Sequence, residues 1–222
     1  MNKLASLLIV ILALSGCESS PIQRFPREPG QFAVSDLVTR DFNARFPAQS
    51  EGNGESIVIE VGLSLKDVSR SECMDKTKCQ FAKVMEISFF YDGEVVFEVQ
   101  LKEYFNQAGQ LERFSVKDSD GIDSVCERVG SVPAPLYAYV GETGREPDFK
   151  CDNQRATKEY GLNGGSRWSM QEGTDSDSAT LIHEDDGSIV RFHLDQHNTV
   201  RGIEFSMNDK ENNRHISGSW QP

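Results

Sequence analysis

The sequence is short of positive charge, short of cysteine and without a long apolar run, and each shortage removes a class of function. Lysine and arginine number 23 against 35 aspartates and glutamates, a formal net charge of −12. Such a surface repels nucleic acid and the phosphates of lipid head groups, and attracts a basic partner or divalent cations. The longest apolar stretch, Leu4 to Leu14, is about eleven residues, where a membrane-spanning helix needs about twenty. Cysteines total five, and no Cys-x-x-Cys pair or nearby histidine supports a zinc site. A Gly-x-Ser-x-Gly elbow and a glycine-rich phosphate loop are both missing. The expectation is a protein that is not an enzyme, with no catalytic residues, no metal and no cofactor.

What is present begins at the N-terminus. Lys3 precedes the apolar stretch, and Leu14-Ser15-Gly16-Cys17 closes it, the layout of a secretory signal. The four closing residues resemble the lipobox of bacterial lipoproteins; no narrower family is recognised. The resemblance implies that residues 1–16 are a signal peptide removed just before Cys17. The Cys17 sulfur then takes a diacylglycerol, and its new amino group takes a fatty acyl chain such as palmitate. Each buried methylene contributes about 0.8 kcal/mol, so several chains together make a firm anchor. Glu18, rather than aspartate, follows the cysteine. By the same resemblance this places the protein on the outer membrane, its folded part facing the periplasm.

In that oxidising compartment Cys73, Cys79, Cys126 and Cys151 read as two disulfides. Three pairings satisfy the count, and the reading favoured is Cys73–Cys79 with Cys126–Cys151. The first would pin a polar loop between two strands, and the second would tie a helix to a later loop.

Residues 17–32, with Pro21, Pro26 and Pro29, read as a tether, and 33–222 as one β-rich domain. Ser35 is placed to cap a helix carrying Val34, Leu37, Val38, Phe42 and Phe46 and ending near Pro47. Ile57, Ile59, Val61, Leu63 and Leu65 alternate as a half-buried strand. Met85 to Tyr91 and Val95 to Leu101 alternate around Asp92-Gly93, a hairpin signature. Leu111 to Val116 follows as a strand. Ile122, Val125, Cys126 and Val129 then predict a second short helix. Residues 131–166 read as loop. Four more strands are expected at Arg167 to Gln171, Ala179 to Glu184, Ile189 to Asp195 and Thr199 to Met207. The fold class expected is therefore α+β: antiparallel meanders of about seven to eight strands with two short helices on one face.

A faint internal echo runs through this pattern. Asp92-Gly93 and Asn106 to Leu111 are answered by Asp186-Gly187 and Asp195 to Val200. Duplication, with halves 33–130 and 131–222, and shared hairpin chemistry both account for it.

Asp118, Asp120 and Glu127 have part of the spacing of a calcium loop, but Val116 stands where the first ligand belongs. An acidic turn explains them better, and solvent-facing strand positions better suit His183, His193, His197 and His215. Tyr137, Tyr139 and Trp168 have the composition of a contact surface, against which stands a role in covering the sheet or its core. The function expected is a non-enzymatic protein-binding module with a basic protein partner, such as an immunity or inhibitor lipoprotein. An envelope-assembly accessory, a lipid or small-ligand carrier and a hydrolase are the alternatives.

Overall fold

The computed structural model describes residues 28–34, 42–68, 81–106, 110–130, 134–160, 165–185, 187–209 and 213–222. These residues form β1 (Gln31–Ala33), β2 (Phe42–Gly52), β3 (Glu55–Val68), β4 (Phe81–Tyr91), β5 (Glu94–Phe105), β6 (Leu111–Asp118) and β7 (Asp123–Val129). Three short strands follow, β8 (Tyr137–Tyr139), β9 (Thr143–Arg145) and β10 (Asp148–Cys151), then the helix α1 (Gln154–Tyr160). The last five are β11 (Arg167–Glu172), β12 (Ala179–Asp185), β13 (Ser188–Leu194), β14 (Val200–Asp209) and β15 (Arg214–Trp220).

Among the described residues this is an almost all-β protein of 15 strands in two very unequal sheets, with one helix. The α+β expectation of about seven to eight strands and two helices is corrected on each count. The helix expected to end near Pro47 gives way to β2, where Ala44, Phe46, Ala48 and Ser50 are buried and alternate with exposed Asn43, Arg45, Pro47 and Gln49. Residues 35–41 lie outside the described set. The second expected helix is β7, paired with β6 on one side and β10 on the other. Its three-and-four spacing misled because Val129, counted toward an apolar stripe, is 51% exposed. The observed helix α1 lies in a stretch expected to be loop. Asn153 caps it, its side chain accepting from the Arg155 amide at 2.8 Å, and it packs against β10 and β7.

Strand order in the large sheet is β10-β7-β6-β5-β4-β3-β2-β15-β14-β13-β12-β11-β9. Its two outermost strands, β9 and β10, are separated in the chain only by Glu146 and Pro147. With at most about 3.6 Å per residue, the two edges come within roughly 11 Å of each other. The sheet is therefore a ring, closed by the single segment 143–151, which pairs with β11 through its first residues and with β7 through its last. Closure disposes of the exposed edges that a flat sheet of this width would carry.

The apolar face of every long strand contributes to one connected core. Phe89, Phe97, Phe114, Phe149, Phe192 and Phe205 are all at most 5% exposed, and Phe114 meets Phe149 edge-on at 5.1 Å. In the same interior Lys83 and Glu103 face one another across β4 and β5, both buried.

The two ends of the ring are covered differently. At the end bearing the Asp92-Gly93 and 119–122 turns, α1 docks through Tyr160, whose hydroxyl donates to Asp118 at 2.6 Å. Burial and that carboxylate push the phenol well above its ordinary range. At the other end β1 pairs with β8, and the Ala33 amide donates to the Asn198 side chain in the turn after β13.

The internal echo extends to hydrogen bonding. Asn106 donates its amide to the Gln110 carbonyl and accepts from the Gln110 amide on its side chain, both at 3.0 Å. Asp195 does the same with Thr199, at 3.1 and 2.9 Å. Each turn follows a register shift, at Tyr104/Phe105 and His193/Leu194 respectively.

Candidate binding groove where two strands part

Between β2 and β15 the ladder of the ring stops part-way along both strands. Pairing runs from Gly52–Arg214 to Ala48–Gly218 and stops there, one residue short of Pro47. Proline brings no N–H to a ladder, which makes it a natural stopping point. β2 nonetheless continues to Phe42 alongside β3, while Ser219 and Trp220 stay with β14. Residues 42–47 of β2 consequently have a strand on one side only, among the described residues.

The two sides part over a groove of about 520 Å³, bounded by Pro47, Gln49 and Val58 on one bank and by Arg191, Glu204, Ser217 and Ser219 on the other. Gly218 makes this geometry accessible, since a Cβ there would meet the Phe205 ring at 2.8 Å and Ala48 at 3.0 Å. Without it Phe205 closes beneath the groove and packs edge-on against Phe46 at 6.1 Å.

The groove offers a mixed chemistry. Val58, 63% exposed, is its apolar contact. Arg191 lies opposite Glu204 in register, and His193 reaches Glu204 at 3.2 Å and Thr180 at 3.3 Å. On the β2 bank Arg45 pairs with Glu60 and lies over the Phe90 ring at 3.9 Å. Hydroxyls, an amide, a guanidinium, a carboxylate and open strand backbone suit the hydrogen bonding of an extended polypeptide.

The residues singled out in the sequence are not gathered here. Cys17, Cys73 and Cys79 lie outside the described residues. Cys126 and Cys151 are bonded, on directly opposed positions of β7 and β10, so the bond joins two strands rather than a helix and a loop. Tyr137 packs against the core. Tyr139 is 38% exposed and donates its hydroxyl to Glu28, which raises the phenol's pKa. Trp168 is 5% exposed, with its ring against Gly144 inside the ring of strands, and presents no contact surface.

Asp118 spends its carboxylate on the Ile122 amide and the Tyr160 hydroxyl. Among the described residues no three His, Cys, Asp or Glu side chains are placed to hold a metal. His183 departs from its expected solvent-facing position and is fully buried, its Nδ1 2.6 Å from Glu146. A nucleophile-activating arrangement needs the acid hydrogen-bonded to Nδ1 and a nucleophile on Nε2. Among the described residues neither ring nitrogen of His183 nor the buried Ser166 hydroxyl has a partner of hydrogen-bond geometry, so no such relay is assembled there.

The groove residues escaped the sequence reading because no motif joins them. Pro47 inside an alternating run was the available signal. No family model, curated protein or solved structure matches the chain.

Proposed function

We propose that this chain is a lipoprotein anchored through Cys17 to the outer membrane, and that its β-ring is a non-enzymatic module binding an extended segment of a basic protein. The observation carrying the reading is the run 42–47 of β2, which among the described residues has no strand on its β15 side, beside a groove lined for hydrogen bonding. Open strand backbone takes up extended peptides by strand addition, and groove side chains select among them. The net charge of −12 favours a cationic partner and speeds encounter with it. An immunity or inhibitor role suits that combination, because a basic cleft is the complementary surface. The phenylalanine-filled interior gives the carrier reading little support.

The test is site-specific photocrosslinking of the lipidated protein in its own membranes, with the crosslinker at Asn43 and a control at Val129. The expected result is one basic protein captured from position 43 and not from 129, with an association rate that falls as salt is raised. Capture of lipid or peptidoglycan fragments alone, or equal capture from both positions, would end the proposal. In the same preparation Cys17→Ser should leave the membrane fraction; its retention there would remove the anchor from the reading.

A further inference from the structure

The segment 143–151 closes the ring with ladders of similar length on its two sides, fastened in different ways. On the β10 side, residues 148–151 pair with β7, the Asp152 amide donates to the Val125 carbonyl, and the Cys126–Cys151 bond staples the strands covalently. On the β9 side, residues 143–145 pair with β11. Backbone bonds between Met170 and residues 141 and 142, and from Glu146 to Ser166, extend that ladder, but nothing covalent crosses it.

The side chains between β9, β11 and β12 are polar and sealed. Glu146, Ser166, Trp168 and His183 are between 0 and 6% exposed. Cross-strand register sets Gly144, Trp168 and His183 in one row facing the interior. Within this cluster Glu146 meets His183 at 2.6 Å. Both carboxylate oxygens of Glu146, both ring nitrogens of His183, Ser166 Oγ and Trp168 Nε1 find no partner of hydrogen-bond geometry among the described residues, so Glu146 and His183 meet at ion-pair distance and not through a hydrogen bond. A buried polar atom without a partner penalises the closed state and is relieved by water when the junction opens. The stapled junction carries fewer such atoms, Asp148 Oδ1 and Arg128 Nε, so opening costs less here than there, and the Glu146–His183 contact is the interaction that opposes it.

We infer that the β9–β11 junction is the opening seam of the ring, latched by Glu146 and His183 and hinged on the disulfide-stapled β10–β7 junction. Opening exposes the β11 edge and Trp168 while the rest of the sheet stays paired. This device is independent of the groove on the opposite part of the ring.

Amide hydrogen exchange on the full chain with its disulfides intact tests the seam. Amides of β9 and β11 should exchange through a local opening, roughly ten-fold or more faster than those of β5, and Glu146→Gln should accelerate them about ten-fold further without moving β5. In a Trp220→Phe background, fluorescence quenching of Trp168 should rise in parallel. A uniform acceleration across the sheet, no acceleration, or prior exchange at β10–β7 would overturn the inference. If Glu146→Gln does not fold, Arg145→Cys with Arg167→Cys supplies the second measurement, because these residues are directly opposed. Oxidation of that pair should slow β9 and β11 exchange to the β5 level, and an unchanged rate would equally overturn the seam.

Discussion

At one end of the closing segment β10 is bonded to its neighbour by sulfur and covered by a helix; at the other, β9 relies on hydrogen bonds and one buried acid–imidazole contact. The ladders themselves are comparable, so the difference lies in the side chains. Around β10 only Asp148 Oδ1 and, on β7, Arg128 Nε go without partners among the described buried polar atoms. Asp152 accepts from the Ser124 hydroxyl and the Val125 amide, and the Cys151 amide donates to Thr157 in α1 at 3.0 Å. Around β9 more buried polar atoms go without partners among the described residues, each costing about 1–3 kcal/mol of desolvation. A closed sheet need not be equally closed all the way round.

The largest expected effect comes from making the two junctions alike. Cys126→Ala with Cys151→Ala removes a crosslink spanning 25 residues, which should lower stability by about 3 kcal/mol in chemical denaturation. The β10 amides should then lose their protection relative to β9; unchanged protection would show that the staple does not distinguish the two sides. A smaller effect is expected from overfilling the other side. A Cβ at Gly144 would lie 2.5 Å from the Trp168 indole nitrogen, so Gly144→Ala should cost about 1–3 kcal/mol, with Trp168 emission shifting as the ring moves. The same substitution at Gly130, where added carbon meets nothing, lies at φ +95° and is no control; Gly165, open and without that restriction, is the neutral comparison.

The smallest effect is a pH dependence confined to the stapled side. The Ser124 hydroxyl, and after it the Val125 amide, hold the Asp152 carboxyl below the usual carboxylate range. A lowered folded-state pKa means that its contribution is fully present above the unfolded value of about 3.9 and is lost as pH falls through the lowered one. Acid titration of the wild type should show this loss below about pH 4, and Asp152→Asn should flatten that part of the profile. An identical profile in the variant would remove Asp152 from the comparison.

Much of the strand content was legible because alternation is local. Ile57 to Leu65, Met85 to Tyr91 and Val95 to Leu101 declare their period within a few residues, and β3, β4 and β5 contain them. The errors arose where period and register diverge. Phe42 and Phe46 stand four apart, which a helix and a strand both accommodate, since four is also twice two. Ile122, Val125 and Cys126 matched a helix only because the exposed Val129 and the half-buried Val125 on β7 were counted as core. The candidate groove was hidden for another reason. Pro47, Val58, Arg191, Glu204 and Ser217 are far apart in the chain, and nothing in any one of them shows that β15 turns away from β2.

The order of apolar and polar residues by itself determined that the chain would build meandering strands joined by Asp-Gly and Asx turns, because side-chain period and turn chemistry are properties of neighbours. It also carried the acidity and the cysteine spacing. Only the tertiary structure decided that the meanders join through β2 and β15, that one segment serves both edges, and that Trp168 and His183 turn inward. Those outcomes depend on pairing between residues distant in sequence, where the competing arrangements differ in which faces are buried together and not in any local preference.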